Sequence, residues 1–264
     1  MGRIAFIGAG PGAADLLTLR GARLLGQADV VLCDALVDPG LRDLAPQARW
    51  IDVGKRGFRG GTTQTMINAL LLRHGRAQAL VVRLKGGDPS IFGRLEDELQ
   101  AVAAAGLQAE VVPGVTAALA AAADTRLPLT RRGHGRSVSL TTAMTRDGVL
   151  RASRRADTEV FYMAGRQLAL LARQLMAAGW PAATPTSAVS RAGYADSLHS
   201  THLLAELGQA AMLHQGRPTV VIVGAGARSL DPPGSYGAAR PPARSERLQA
   251  QPQPLPHANP LQHD

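Results

Sequence analysis

The spacing of apolar residues in the first half of the chain alternates between two periods. Short β-branched runs, bounded by glycine, proline or charge, are typical of buried strands. Longer stretches with helical spacing lie between them, and Gly106 follows one of these as a C-terminal stop. This alternation predicts a mostly parallel sheet with helices on both faces. The expected strands are 3–7, 29–33, 50–53, 80–84 and 110–112, and the expected helices are 16–25, 63–73, 96–105 and 115–124.

The pattern breaks at residues 128–136, where arginine and glycine occur without an acid, as is typical of a connector. A second α/β set follows. From residue 228 onward proline and glutamine dominate with almost no apolar periodicity, which predicts a disordered tail. We therefore expect two α/β domains with mostly parallel or mixed sheets, at 1–130 and 131–227, and a tail at 228–264. The expected strands of the second domain are 137–142, 159–163, 186–190 and 219–223, and its expected helices are 167–178 and 203–214.

The composition excludes several classes of protein. Of the 264 residues 45% are hydrophobic, which supports a globular chain rather than a disordered one. No run approaches the ~20 consecutive apolar residues of a membrane span. The single cysteine, Cys33, excludes a disulfide framework and a cysteine-based zinc site. The start of the chain lacks the layout of a signal peptide, so we expect a cytoplasmic protein without a membrane.

The net charge of +9 suits an anionic partner, which the charge alone leaves open among nucleic acid, anionic lipid and a polyanionic small molecule. Aromatic residues make up only 3% of the chain, which disfavours stacking of nucleic-acid bases. Only two of the basic residues are lysines, Lys55 and Lys85.

Residues 8–13 form a glycine-rich turn at the end of the first expected strand. The turn fits the dinucleotide pattern of glycine, one residue, glycine, two residues and alanine. Pro11 argues against a pyrophosphate, because it removes one of the N–H groups that such a ligand would use. The next helical pattern also begins too late to cradle a phosphate. A dinucleotide site, a plain structural turn and a loop against some other ligand all remain open here.

Three further polar or glycine-bearing segments follow expected strands. Residues 83–89 carry two glycines and Asp88, residues 112–118 carry a Pro-Gly corner and Thr116, and residues 53–57 carry Lys55. Each segment also has a purely structural interpretation. Residues 83–89 fit an Asp-Pro turn, Thr116 fits a helix N-cap, and residues 53–57 fit a solvated strand end. Asp34 lies at the end of another expected strand. Three interpretations of it stay open: a general base, a ribose ligand and a turn residue. Because ligands bind at the carboxyl edge of open parallel sheets, we expect these corners to converge.

The order of these motifs resembles the tetrapyrrole methylase family over residues 3–228. The resemblance is carried by ten segments in one order: GAGPGxxDLLTLR at 8–20, ADVVLCDALV at 28–37, VGKRG at 53–57, Ile67 with Asn68, VVRLKGGDP at 81–89, Phe92 to Arg94, VVPGVTAALAAAA at 111–123, LPLTRRG at 127–133, TEVFYM at 158–163 and VVIVG at 220–224.

The resemblance implies two α/β domains, a homodimer, and S-adenosylmethionine bound in an active-site cleft between the domains. It implies transfer of two methyl groups to carbon atoms of uroporphyrinogen III, giving precorrin-2 for sirohaem or cobalamin. By position Asp34 corresponds to the family's proton acceptor, Lys55 to its proton donor, and Arg94 to a residue that contacts substrate or assists proton removal. The implied S-adenosylmethionine contacts are Pro11, Gly86, Gly87, Asp88, Ile91, Thr116, Ala117, Met163 and Ala192.

Several positions depart from the family's pattern. Cys33 and Ala35 stand where the family has tyrosine and arginine, Ser90 replaces a phenylalanine, and Leu95 and Glu96 replace two glycines. These departures leave open another precorrin methyltransferase, an RNA-directed enzyme of the same fold, and a non-catalytic tetrapyrrole binder. The favoured partner is a carboxylate-rimmed tetrapyrrole, which suits the arginine-rich balance without nucleic acid.

Overall fold

The first sheet is wholly parallel, as the alternating pattern predicts. The computed structural model describes residues 2–54, 62–143, 150 and 152–230. The sheet has five strands in the order β3-β2-β4-β1-β5, so the chain begins near the centre and crosses over to both edges. Its strands are β1 (Arg3–Gly8), β2 (Val30–Cys33), β3 (Arg49–Asp52), β4 (Leu80–Lys85) and β5 (Gln108–Val112).

Helices cover both faces of this sheet, which explains why its central strands are apolar without alternation. One face packs against Leu24 and Leu25 of the first helix. The other packs against Ile67 and Leu71 of the second helix and Val102 of the third. The helices are α1 (Leu19–Leu25), α2 (Gln64–Ala77), α3 (Leu95–Ala104) and α4 (Ala117–Thr125), with 3₁₀ turns at Ala14–Leu16 and Pro39–Leu44.

The second sheet is mixed and has the order β6-β7-β10-β8-β9. Only β6 and β7 pair in parallel, whereas β10 runs antiparallel to both β7 and β8, and β8 runs antiparallel to β9. One face is covered by α5 (Leu168–Ala177) and the 3₁₀ helix Leu204–Ala211. The strands are β6 (Val138–Thr142), β7 (Thr158–Tyr162), β8 (Pro185–Ser190), β9 (Leu198–Leu203) and β10 (Thr219–Gly224).

The other face of the second sheet is covered by α4, the last helix of the first domain. Ala118, Ala120 and Ala121 are buried there against Val160 and Ile222. Small side chains let the helix approach the strands closely, so this helix joins the two domains.

Two expected elements differ from the structure. The helix expected at 16–25 is instead a 3₁₀ turn followed by α1, which begins at Leu19 because Thr18 accepts a hydrogen bond from the N–H of Gly21. The segment expected to start a helix at 203 is the end of β9, an edge strand that sequence analysis missed, followed by a 3₁₀ helix. The tail expected from 228 lies outside the described residues from 231 onward.

Candidate active site

The three glycine-bearing corners of the first domain meet in one place. Gly10 and Gly87 exchange backbone hydrogen bonds, from the Gly87 N–H to the Gly10 carbonyl at 2.7 Å and in return at 3.3 Å. A Cβ atom on Gly8 would lie 2.7 Å from the Gly87 carbonyl oxygen, and one on Gly114 would lie 2.4 Å from it. Glycine is therefore required at both positions by close backbone approach. The predicted convergence is confirmed for these three corners, and most of the segment 53–57 lies outside the described residues.

Asp88 ties the second corner to the third. Its Oδ1 accepts a hydrogen bond from the Ser90 N–H at 2.8 Å, and its Oδ2 accepts one from the Gly114 N–H at 2.9 Å. Both carboxylate oxygens of Asp88 thus bind backbone N–H groups of the two loops. Asp88 therefore shapes the crevice by holding these two loops together.

The second domain closes the crevice from the opposite side. The hydroxyl groups of Thr116 and Tyr162 lie 2.7 Å apart across the domain boundary. The ring of Phe92 meets the ring of Tyr162 edge to face, with centroids 5.0 Å apart. Thr116 occupies the N-cap position of α4, but its side chain makes no capping hydrogen bond. The capping interpretation of this hydroxyl is therefore wrong, because the hydroxyl bridges the domains instead.

Most of the residues predicted to contact a cofactor border this crevice. Ala192 is buried in the interdomain cluster, and Ile91 and Ala117 are partly buried against it. A Cβ atom on Gly193, the neighbour of Ala192, would lie 3.1 Å from the ring of Pro11. Met163 follows Tyr162 directly at the end of β7 and is half exposed. The structure thus brings residues from five separate segments of the sequence together.

Backbone strain is concentrated around the same crevice. Four residues other than glycine have a left-handed backbone there: Phe92, Arg94, Met163 and Arg191, with φ between 51° and 57°. Such conformations cost free energy and are retained where a site requires a particular side-chain direction. Met163 and Arg191 follow the ends of β7 and β8, and Phe92 and Arg94 lie in the loop between β4 and α3. This distribution favours the crevice as the candidate site.

Asp34 has a charged partner that sequence analysis did not find. Its Oδ1 accepts a hydrogen bond from Nη2 of Arg83 at 2.6 Å, and its Oδ2 accepts a longer one from the Gly86 N–H at 3.4 Å. The Arg83 side chain is buried, whereas about a third of Asp34 is exposed. One face of the carboxylate is therefore fixed, and the rest is open to accept a proton or a hydrogen bond.

Arg83 belongs to a buried ionic network. Its Nε donates to Oε1 of Glu98 at 3.1 Å, and Nζ of Lys85 donates to Oε2 of Glu98 at 2.8 Å. Burial alone would lower the pKa of Arg83, but Asp34 and Glu98 raise it above its ordinary value. Burial and the charge of Arg83 lower the pKa of Lys85. The one signal in the sequence is the presence of two cations inside an otherwise apolar strand, β4.

The remaining predicted catalytic residues are placed differently. Arg94 is largely exposed, and its Nη2 lies 2.8 Å from Oδ2 of Asp97, so it sits at the rim rather than inside the crevice. Lys55 lies outside the described residues. Ser90, Leu95 and Glu96, three of the departures from the family pattern, line one open hollow of about 450 Å³ together with Arg94.

Within the part of the chain that the structure describes, no group of three or more metal-ligating side chains occurs. Over the same residues, no helix has the length and apolar character of a membrane span.

Comparison with known proteins agrees with this geometry. The family model of the tetrapyrrole (corrin/porphyrin) methylases matches residues 3–208. A uroporphyrinogen-III C-methyltransferase of Pseudomonas aeruginosa is 40% identical over 87% of this chain and 96% of its own length. A siroheme synthase of Serratia proteamaculans is 44% identical over 84% of this chain, and this chain spans 48% of that longer protein.

Solved structures show the same relationship. The native uroporphyrin-III C-methyltransferase of Thermus thermophilus has a TM-score of 0.75 and 38% identity, over 84% of this chain and 97% of that one. The same enzyme complexed with S-adenosylhomocysteine has a TM-score of 0.74 and 37% identity, over 84% and 97%. A cobalt precorrin-4 methyltransferase of cobalamin biosynthesis has a TM-score of 0.76 and 27% identity, over 86% and 96%.

The family match over most of the chain, the full-length relative and the crevice between two α/β domains lead to one conclusion: this chain belongs to the tetrapyrrole methylases.

Proposed function

We propose that this protein methylates uroporphyrinogen III twice at carbon, with S-adenosylmethionine as methyl donor, to give precorrin-2. The observation that carries the proposal is the convergence of three glycine corners in one crevice, which Tyr162 of the second domain borders from the other side. The full-length relative and the structure that holds S-adenosylhomocysteine support it. The siroheme synthases are about twice as long, so their further activities are not assigned to this chain.

The crevice suits a sulfonium compound better than a dinucleotide. Pro11 supplies no N–H group, and α1 begins only at Leu19, so no helix N-terminus points into the first loop. A thioether such as that of Met163 packs readily against an irregular apolar shape. We propose that the donor contacts the residues predicted for it, with Ile91, Ala117 and Ala192 at the domain boundary.

S-adenosylmethionine supplies an electrophilic methyl group and leaves as S-adenosylhomocysteine. The electron-rich pyrrole carbon that gains the methyl carries a carboxylate side chain and no hydrogen, so the proton that balances each transfer must leave another position of the ring as the macrocycle rearranges. The main contribution of the chain is to hold carbon, methyl and sulfur in line, an effect worth up to about 7–11 kcal/mol. We propose Asp34 as the proton acceptor, since its carboxylate is held by Arg83 and partly open. The roles of Lys55 as proton donor and of Arg94 at the substrate carboxylates rest on the resemblance alone.

The direct test is an anaerobic incubation of the protein with methyl-labelled S-adenosylmethionine and freshly reduced uroporphyrinogen III. We expect two labelled methyl groups in each tetrapyrrole, measured by mass spectrometry after oxidation. Cobalt precorrin-4 is the matched alternative substrate, because a structural neighbour acts on it. Methylation of that compound alone would replace the proposed substrate, and methylation of neither would contradict the proposed function.

The assignment of the crevice is tested by Asp88→Ala. Loss of the two backbone hydrogen bonds should loosen both glycine corners and weaken S-adenosylhomocysteine binding at least about tenfold by calorimetry. The matched control is Asp157→Ala, because Asp157 also accepts backbone N–H groups, from Arg136 and Ser137, at the other end of the second sheet. Equal losses of affinity in the two variants would contradict the assignment.

We propose further that the protein is a cytoplasmic homodimer. The resemblance to the family supports the dimer, and the biosynthetic character of the relatives supports the compartment. Light scattering after size exclusion tests the first, and a mass of one chain at micromolar concentration would contradict it.

A further inference from the structure

A short segment of the second domain, residues 191–197, reaches across to the first domain. We call it the strap. The carbonyl of Gly193 accepts a hydrogen bond from the Ala13 N–H at 2.8 Å. The Gly193 N–H and the Ser197 hydroxyl both donate to Oδ2 of Asp124, at 2.9 and 2.6 Å. The strap is therefore fixed to the first glycine loop and to the end of α4.

Tyr194 extends the strap to a third element. Its hydroxyl donates to the carbonyl of Leu36 at 2.6 Å. Its ring lies against the first glycine loop, since a Cβ atom on Gly12 would come within 2.7 Å of the ring carbon Cδ2. The guanidinium carbon of Arg191 lies 3.9 Å from the centre of the same ring. The ring is thus held on both sides, so the direction of the hydroxyl is defined by packing.

Arg191 is itself held in place. Its Nε donates to Oδ1 of Asp196 at 2.7 Å, and Oδ2 of Asp196 lies 3.2 Å from Nη2 of Arg217. These contacts fix a residue that has a left-handed backbone at the start of the strap. Strain of this kind persists where the surroundings over-determine it.

The carbonyl that Tyr194 holds belongs to the loop that carries Asp34. Leu36 lies two residues after Asp34, and the Val37 N–H closes the turn by donating to the Asp34 carbonyl at 3.3 Å. Gly54, which precedes the segment of Lys55, packs directly against Ala35 of the same loop. A contact at Leu36 therefore acts on the loop that carries Asp34 and packs against Gly54.

We propose that Tyr194 is a positioning residue, whose hydroxyl tethers the Asp34 loop to the second domain and so places the tetrapyrrole against the methyl donor. The inference rests on the proposed function and deepens it. The bulk of the domain interface is the buried packing of α4, so loss of one hydroxyl leaves the domains together. What changes is the position of the Asp34 loop, and misplacement of about 1 Å can cost about a hundredfold in rate.

The test compares Tyr194→Phe with Ser197→Ala. Both changes remove one hydroxyl that crosses between the domains, but Ser197 bonds α4 and not the Asp34 loop. We expect Tyr194→Phe to lower kcat for tetrapyrrole methylation about tenfold or more, with the Kd of S-adenosylhomocysteine within about twofold of wild type. Ser197→Ala should leave both quantities within about twofold.

Hydrogen exchange of residues 34–38 gives a readout that does not depend on activity. We expect faster exchange at the Val37 amide in Tyr194→Phe and unchanged exchange there in Ser197→Ala. Unchanged exchange in Tyr194→Phe, equal effects of the two variants, or a parallel loss of S-adenosylhomocysteine binding would each overturn the inference. If wild-type protein shows no methyl transfer, the proposed function fails, and the exchange measurement still decides whether the tether exists.

Discussion

Among individual residues, Glu98 has the most demanding position. It is fully buried on α3 and neutralises both Arg83 and Lys85, while Asp34 neutralises Arg83 from the crevice side. Gln64 adds a hydrogen bond to Oε1 at 3.2 Å. Two cations are thus balanced by two carboxylates beneath the second glycine corner. Removal of one member of such a network destabilises the folded state by more than the intact network stabilises it, because a buried charge is left without a partner.

Glu98→Gln should therefore lower the free energy of unfolding by about 3–5 kcal/mol, measured by urea denaturation. The matched control is Glu96→Gln, two residues earlier on the same helix, where the side chain is exposed and accepts a hydrogen bond from Gln100. That variant should stay within about 0.5 kcal/mol of wild type. Equal changes in the two variants would show that the buried network does not carry this stability.

His214 lies in a second buried network, which includes Ser190, the residue that directly precedes the strap. Its Nδ1 lies 2.5 Å from the hydroxyl of Ser190, and its Nε2 lies 2.9 Å from the hydroxyl of Ser200. Burial, together with the nearby His202 and Arg217, lowers the pKa of His214 from 6.5 to about 4. The folded protein therefore keeps this ring neutral at pH values where the unfolded chain protonates it.

The free energy of unfolding should therefore depend on pH. Since the unfolded chain binds more protons between pH 6.5 and 4, stability is fully present above that interval and falls as the pH decreases through it, by about 3 kcal/mol in total. His214→Gln should flatten this part of the curve in urea titrations at each pH, whereas His134→Gln, at an exposed histidine that does not act on His214, should keep the wild-type slope. A slope that survives His214→Gln would refute the assignment.

At the scale of helices and strands, sequence periodicity predicted most of the fold. The three inner strands of the first sheet, β1, β2 and β4, were found because both of their faces are buried, which leaves nearly continuous apolar runs. β9 was missed because it is a half-exposed edge strand in which histidine, serine and threonine replace the usual apolar alternation. The start of α1 was misplaced because leucines at 16 and 17 continue the helical spacing through a 3₁₀ turn.

The candidate site was predictable to the extent that it follows strand ends. The glycine corners and Asp34 all occupy the carboxyl edge of a parallel sheet, so their convergence follows from topology. The partnership of Asp34 with Arg83 joins residues 49 positions apart and depends on side-chain direction within β4, which spacing alone does not define. The same holds for Thr116, whose hydroxyl meets Tyr162 of the other domain.

The helix α4 offers a test of how the domains are joined. Ala121 is fully buried against the second sheet, so Ala121→Leu should overpack the interface and lower the free energy of unfolding by about 1–3 kcal/mol. It should also weaken S-adenosylhomocysteine binding, because the crevice lies between the separated surfaces. Ala123→Leu, on the exposed side of the same helix, is the control and should change neither quantity. Loss of stability without loss of affinity in Ala121→Leu would place the crevice outside the influence of this interface.

For the molecule as a whole, the excess of positive charge from arginine is complementary to the charge of the proposed substrate and not to that of the methyl donor. The chain carries a net charge of +9, a tetrapyrrole with a rim of carboxylates is strongly anionic, and the donor carries a positive sulfur. Long-range attraction therefore acts on one ligand and not on the other. Salt screens the interaction between exposed charges, and the Debye length shortens to about 8 Å at physiological ionic strength. Binding of the tetrapyrrole should therefore depend on salt more strongly than binding of the methyl donor.

Raising the salt concentration from about 20 to about 300 mM should thus lower kcat/KM for the tetrapyrrole severalfold, mainly by slowing association. The Kd of S-adenosylhomocysteine, measured by calorimetry over the same range, should change less than about twofold, and this serves as the internal control for effects of salt on the fold. Initial rates at limiting tetrapyrrole and saturating donor give the first quantity directly. If kcat/KM is independent of salt, the basic surface has no part in substrate capture; if both quantities fall together, salt acts on the domain arrangement rather than on the encounter.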